Sequence, residues 1–340
     1  MIYKIIRFFF FLIDPERIHH LIVFFLKFLN NPLTLSLVKN KKLSEITLWN
    51  IKFSNRVGLA AGFDKNSDIT DAFSVFGFGH IEIGTITPRP QLGNPKPRLF
   101  RLQQDKAIIN RMGFNNIGVD ATIKKLEKRK IKNVVLGCNI GKNTDTSNDK
   151  AADDYVYCFE KLYDYADYFV INISCPNISN LVHLQDKDEL EKILIKISES
   201  RKKLGQKPVL LKISPDLNYS QIDETLDLIN KYKIDGIVIS NTTTSRDNLK
   251  TDKSKITEIG QGGLSGLPLK QRSTELIKYV SEKTKRRLPI IGVGGIFNIN
   301  DAIEKINAGA SLIQIYTGFI YEGPFLARKI NKKLKSILKD

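Results

Sequence analysis

Ile290-Ile291-Gly292-Val293-Gly294-Gly295-Ile296 is a short β-branched run that closes on paired glycines. A run of this length and composition predicts a buried strand, and the glycines let the backbone at its end approach a partner closely. The pattern recurs outward on both sides. Downstream, Leu312 to Tyr316 runs into Thr317-Gly318; upstream, Val57 to Ala61, Ile81 to Thr85, Val134 to Ile140, Phe169 to Ser174, Val209 to Ile213 and Gly236 to Ser240 end in Gly, Asn, Thr or Ser. A polar-apolar helical stretch follows each. Eight strands alternating with helices predict an α/β fold, a (β/α)8 TIM barrel, and near-continuous apolar strands fit a parallel sheet covered on both faces. An open doubly wound sheet of eight such units would be unusually large.

The chemistry of such a barrel sits at the C-terminal ends of its strands, where this sequence concentrates its polar and glycine residues. Gly294-Gly295 and Thr317-Gly318 follow strands seven and eight, the usual phosphate site of the fold. Gly262-Gly263-Leu264-Ser265-Gly266 is read as a flexible loop after strand six near the same place. Five side-chain amides, on Asn110, Asn139, Asn172, Asn177 and Asn241, can each donate and accept, which suits the edge of a cyclic imide or ureide. Lys65 and Lys212, at the ends of strands one and five, can hold a carboxylate or stabilise charge developing on a cofactor. Cys175, in a Ser-Cys-Pro-Asn turn after strand four, is placed to act as an acid–base thiol, whereas Cys138 and Cys158 are expected to be small buried hydrophobes.

Composition narrows the classes. At 340 residues with 42% hydrophobic content, the chain can bury one large core with a small appendage. The cysteines are three, widely separated and without C-x-x-C spacing, so neither a disulfide framework nor a zinc site is indicated. The formal net charge of +17 would suit nucleic acid or an anionic membrane surface, and the charge alone does not choose between them. Lys is spread along the whole chain, as at Lys124, Lys125, Lys128, Lys130 and Lys132, so a lysine-biased composition on solvated faces is the alternative, and among partners no nucleic acid is expected.

The N-terminal stretch differs in character. Apolar runs from Ile5 to Ile13 and from Leu21 to Leu29 flank Asp14-Pro15-Glu16-Arg17, and neither reaches the roughly 20 residues needed to span a bilayer. Asp14 can cap the second helix with Pro15 at its first position. Phe8 to Phe11, Phe24, Phe25 and Phe28 beside Lys4, Arg7 and Lys27 predict a helical pair lying in a membrane interface; packing of the pair against the main domain is the alternative. Residues 1–38 are therefore expected to form a membrane-interface segment, and 39–340 the barrel.

Taken together, Gly58 to Lys65, Ile81 to Pro90, Asn110-Arg111-Met112-Gly113-Phe114-Asn115-Asn116, Asn172 to Asn177 and Ile291 to Ile296 resemble the dihydroorotate dehydrogenases over essentially the whole chain. The Asp14 to Arg17 turn resembles the N-terminal extension of their quinone-dependent bacterial members. The resemblance implies oxidation of dihydroorotate to orotate in pyrimidine biosynthesis, with FMN as cofactor and a membrane quinone as electron acceptor, at the cytoplasmic side of a bacterial cell membrane as a peripheral protein. It implies FMN contacts from Ala61, Gly62, Phe63, Asp64, Lys65, Thr85, Asn139, Asn172, Lys212, Ser240, Gly266, Gly295, Tyr316 and Thr317. Substrate contacts are implied for Lys65, Asn110, Arg111, Met112, Gly113, Phe114, Asn172, Asn177, Asn241 and Thr242, with His19 and Arg101 lining the quinone path and Cys175 as the base. No metal is implied.

One position departs from the pattern. The membrane-associated class is expected to carry Ser as its base, and Cys175 is typical of the soluble class. The helical pair outweighs it, because it supplies a whole quinone-access element while Ser-to-Cys exchanges one proton acceptor. The rivals are a soluble fumarate- or NAD-linked relative, an FMN-dependent tRNA dihydrouridine synthase, and a silent barrel used as a membrane sensor. The synthase is expected to carry an RNA-binding helical domain after the barrel, and the stretch from strand eight to Asp340 is short for one.

Overall fold

The computed structural model describes residues 2–36, 44–129, 134–174 and 187–337. Eight parallel strands close into a barrel: β1 (Val57–Leu59), β2 (His80–Ile86), β3 (Val135–Ile140), β4 (Tyr168–Asn172), β5 (Val209–Ile213), β6 (Gly236–Ile239), β7 (Ile290–Val293) and β8 (Leu312–Ile315). The ring shuts where Ile313 pairs with Val57 and Ile315 with Leu59. Every expected strand is present, with no end displaced by more than two residues.

Each strand is apolar on both faces because both are covered. Val57, Ile81, Leu136, Phe169, Leu211 and Ile237 point outward into the helical shell, while Val170, Leu210, Val238, Ile291 and Leu312 fill the interior. Cys138 and Cys158 are fully buried in the outer layer, as small hydrophobes there should be. Burial pushes both thiols upward, which keeps them protonated and unreactive.

Two large side chains plug the lower interior, and glycines make room for them. A Cβ on Gly58 would lie 2.1 Å from the His80 ring, and one on Gly137 would lie 2.3 Å from the Tyr168 ring. Below them the antiparallel pair Ile46–Leu48 and Ile51–Phe53 closes the barrel floor, with Phe53 edge-on to His80 at 5.5 Å.

Neither ring nitrogen of His80 has a partner among the described residues, and burial pushes its pKa down to about 3. The unfolded chain takes up that proton near pH 6.5. The folded protein therefore keeps His80's contribution in full above about pH 6.5 and loses it progressively as pH falls toward 3. Thermal melts should show a midpoint that declines below pH 6.5, and His80→Leu should flatten the decline. An unchanged slope in that variant would assign the acid sensitivity to other groups.

The segment Gly262–Gly266, expected as a flexible loop, is not one. Gly263–Gly266 is a strand pairing antiparallel with Ala107–Asn110, which pairs in turn with Leu99–Leu102, so a small three-stranded sheet stands over the barrel mouth.

At the N-terminus α1 (Ile2–Leu12) and α2 (Pro15–Leu29) form as expected, and Asp14 Oδ1 caps α2 by accepting from the backbone N–H groups of Glu16 at 3.0 Å and Arg17 at 2.9 Å. The pair is both docked and open. Arg98, buried in the loop before the small sheet, donates to both carboxylate oxygens of Glu16, at 2.7 and 3.2 Å. Tyr3 donates to the Ile320 carbonyl at 2.6 Å, and Phe11 stacks edge-on with Tyr321 at 5.2 Å. Ile5, Phe8, Phe9, Leu12, Phe24, Phe25 and Phe28 remain exposed on the other face. Among the described residues no helix is long and apolar enough to cross a membrane.

Candidate active site

The strand ends and the docked helix enclose one continuous cavity. Its floor is a layer of hydrogen-bonded polar groups. Thr85, at the end of β2, donates to Asn139 Oδ1 at 2.6 Å, and Asn172, the last residue of β4, donates to Thr85 Oγ1 at 3.0 Å. Lys212, inside β5 and only 5% exposed, sits 3.3 Å from the carboxylate of the fully buried Glu82. A buried charge of either sign is costly alone, so this pair exists because each neutralises the other while Asn139 and Gln314 satisfy the remaining carboxylate valences.

One wall is built from backbone and hydroxyls. Gly294 and Gly295 follow β7, Thr317 opens the short helix Thr317–Glu322 after β8, and Gly266 ends the overlying strand. Ser265 Oγ lies 2.8 Å from Thr317 Oγ1, so two hydroxyls meet beside these glycines where the fold presents an anion site. Gly295 lines the cavity and has a packing role as well. A Cβ there would lie 2.3 Å from Lys270 Cβ, so the glycine makes room for helix Lys270–Lys283, and its φ of +70° is one that other residues rarely adopt.

The opposite wall carries Asn110, Met112, Gly113 and Phe114 from the loop leaving the small sheet, and Asn241 and Thr242 from the end of β6. Lys65 faces them and donates to Asn115 Oδ1. Farther out the cavity turns apolar, lined by Ile18, Ile22 and Val23 of α2. His19 lies there, edge-on to Phe63 at 5.0 Å, and burial, with Lys65 and His20 nearby, pushes its pKa down to about 4, so the ring is neutral at physiological pH. Arg101 also lines this end, donating to the Ile13 carbonyl at 2.9 Å and stacking over Phe11 at 4.5 Å.

Most of the expected site residues meet at this cavity, including Ala61, Gly62, Ser240 and Tyr316. Three do not take the places expected of them. Asn139 lies beneath the floor, fully enclosed, and holds Thr85 and Asn172. Arg111 turns away to donate to the Gln261 carbonyl at 3.2 Å and to stack over Phe100. Asp64 borders the cavity, but its carboxylate points inward and accepts from the N–H groups of Asp68 and Ile69 and from Thr70 Oγ1, with burial raising its pKa to about 6. Cys175 and Asn177 lie outside the described residues.

Sequence reading missed Glu82, Gln314, Asn115 and Ser265. The signal for the first two was present: a single polar residue in an otherwise apolar barrel strand, as in Ile81-Glu82-Ile83 or Ile313-Gln314-Ile315, must face the interior.

Comparison with known proteins agrees with this architecture. The family model described as dihydroorotate dehydrogenase matches residues 43–338. The chain is 50% identical over 328 residues to the dihydroorotate dehydrogenase (quinone) of Christiangramia forsetii, covering 94% of this chain and 95% of the relative. It is 44% identical over 340 residues to the protein of that name from Buchnera aphidicola subsp. Schizaphis graminum, covering 98% and 100%. The crystal structure of the Eimeria tenella enzyme in complex with ferulenol superposes with a TM-score of 0.86 at 38% identity, covering 96% of this chain and 92% of that one. Fold, site and relatives agree, and the chain belongs to the dihydroorotate dehydrogenase family, whose members use a flavin.

Proposed function

We propose that the protein is a quinone-dependent dihydroorotate dehydrogenase that binds FMN, oxidises dihydroorotate to orotate and returns the electrons to a membrane quinone. The observation that carries this reading is the single cavity that joins a polar floor at the strand ends to an apolar mouth under α2. A soluble acceptor such as fumarate or NAD has no use for that mouth, nor for the exposed phenylalanines around it.

The residues present fit FMN. Lys212 offers a cation and the amide floor hydrogen-bond acceptors for a polar ring edge, and Thr317, Ser265 and the glycine backbones offer N–H and O–H donors for a phosphate. FMN supplies the acceptor for the hydride leaving C6 of dihydroorotate. Cys175 takes the proton from C5 as the C5=C6 double bond forms, and Lys65 holds the substrate carboxylate. The amides of Asn172, Asn177 and Asn241 orient the ring. His19, neutral at the cavity mouth, presents an uncharged polar edge toward an incoming quinone without the cost of burying an ion.

Without oxygen, dihydroorotate should bleach the flavin absorbance of the yellow protein and yield one orotate per flavin; a flavin left oxidised would contradict the reading. Thr317→Val removes a phosphate hydroxyl and should weaken flavin retention by about tenfold, read as flavin content after dialysis. Equal retention would remove Thr317 from the phosphate site.

The segment 1–38 is the membrane and quinone-access element in this account, lying at the cytoplasmic face of the cell membrane. The paired substitutions Phe8→Asp and Phe25→Asp leave the contacts of α1 and α2 with the barrel in place. They should abolish binding to lipid vesicles and turnover with long-chain quinone while anaerobic flavin reduction by dihydroorotate continues. Full long-chain turnover in that variant would make the exposed face irrelevant to quinone delivery.

A further inference from the structure

The amide floor has a direction, and it begins at a residue that does not line the cavity. Glu82 sits in the middle of β2 with its side chain fully enclosed. Three donors converge on it: Lys212 Nζ at 3.3 Å, Asn139 Nδ2 at 2.7 Å and Gln314 Nε2 at 2.8 Å. An ionised carboxylate can only accept hydrogen bonds, whereas a side-chain amide has a donating and an accepting end and can sit either way round. Glu82 therefore decides which way Asn139 faces.

The direction then passes from layer to layer. With its Nδ2 committed to Glu82, Asn139 turns Oδ1 upward, where it accepts from Thr85 Oγ1 at 2.6 Å and Asn172 Nδ2 at 3.2 Å. Asn172 gives its other amide hydrogen to Thr85 Oγ1, so its Oδ1 is left to accept from Asn241 Nδ2 at 3.2 Å. Asn241 spends its second amide hydrogen on Ser174 Oγ at 3.0 Å, and its Oδ1 accepts from the Thr242 N–H at 2.9 Å. All the amide hydrogens of Asn172 and Asn241 are thus used inside the wall. What Thr85 and Asn241 have left to offer the cavity is lone pairs.

We infer that Glu82 is a positioning residue for substrate specificity, fixing the amide chain so that the wall accepts hydrogen bonds from ring N–H groups. The inference rests on the reading of this cavity as the dihydroorotate and orotate site. Reversing the chain would set the Asn139 amide oxygen against the Glu82 carboxylate, acceptor against acceptor, and at the far end the Asn241 amide hydrogens against the Thr242 N–H, and in an enclosed network such mismatches have no water to relieve them.

The test compares two ligands on the flavin-loaded enzyme: orotate, and its 4-amino counterpart, in which the C4 carbonyl and N3–H are replaced by C4–NH2 and a bare N3. Binding is followed through the flavin absorbance. Glu82→Gln keeps the shape and restores ambivalence, so the preference for orotate should shrink by about tenfold or more, while Glu82→Asp, still an acceptor only, should keep most of it. A flavin-loaded Glu82→Gln protein with the wild-type preference overturns the inference, whereas a wild-type protein that binds neither ligand overturns the substrate reading instead. If Glu82→Gln does not hold flavin, neutron diffraction of the wild-type enzyme reads the direction itself. Deuterons on Asn139 Nδ2 toward Glu82 and on Thr85 Oγ1 toward Asn139 are expected, and a protonated Glu82 or a reversed Asn139 amide overturns it.

Discussion

Cys175→Ala should slow the reduction of bound flavin by dihydroorotate by about 10²–10⁴-fold, the usual contribution of a general base, while leaving FMN in place. None of the flavin contacts proposed above is made by this thiol, so retention of the flavin does not depend on it. Cys175→Ser is the more informative variant, because the membrane-associated class is expected to work with a hydroxyl there. Its rate should fall between those of the wild type and the Ala form, and its pH profile should move upward. An alkoxide forms less readily than a thiolate, whose ordinary pKa is near ~8.5. Stopped-flow reduction across pH for the three proteins separates the possibilities. If the Ala form reduces flavin at the wild-type rate, the proton leaves C5 by another route.

Lys212→Met should be as damaging, through stability as well as chemistry. Lys212 and Glu82 are a buried pair, and removing the ammonium strands an enclosed carboxylate. Breaking such a pair from one side costs about 3–5 kcal/mol. The thermal midpoint should fall accordingly, and the protein should purify with little flavin, since the cation proposed to hold the ring edge is gone. Adding Glu82→Gln to Lys212→Met removes the stranded charge, so the double variant should recover much of the lost melting temperature without recovering flavin reduction. Equal melting temperatures for the single and double variants would mean that the pair does not govern stability at the barrel centre.

The barrel was legible because parallel strands covered on both faces read as uninterrupted apolar runs, from Val57 to Ile315. The lining of the candidate site was legible in part, because a barrel places its chemistry at strand ends and Thr85, Asn172, Asn241, Gly295 and Thr317 stand there. Depth was harder to read. Asn139 and Thr85 look alike at a strand end, yet one lies under the floor and the other in it, because successive residues alternate across the barrel wall and the strands are staggered.

Non-local pairing was hidden too. Gly263–Gly266 is glycine-rich and reads as a loop, but it pairs with a strand that Asn110 ends, 153 residues earlier in the chain, and nothing local to either segment announces the other. The helical pair was legible in its cap and its amphipathic pattern, whereas its attachment was not. Glu16 reads as a first-turn acidic residue favoured by the helix dipole, and its pairing with buried Arg98 is a tertiary fact.

In the proposed reaction, electrons from dihydroorotate leave through an apolar mouth to a quinone. The direct measurement is reoxidation of the dihydroorotate-reduced enzyme, without oxygen, by a long-chain quinone in detergent, by fumarate and by NAD, each followed through the flavin absorbance. Reoxidation by quinone at a rate that supports turnover, with fumarate and NAD slower by orders of magnitude, is the expected result. Reoxidation by fumarate or NAD at a rate matching or exceeding that of quinone would contradict it.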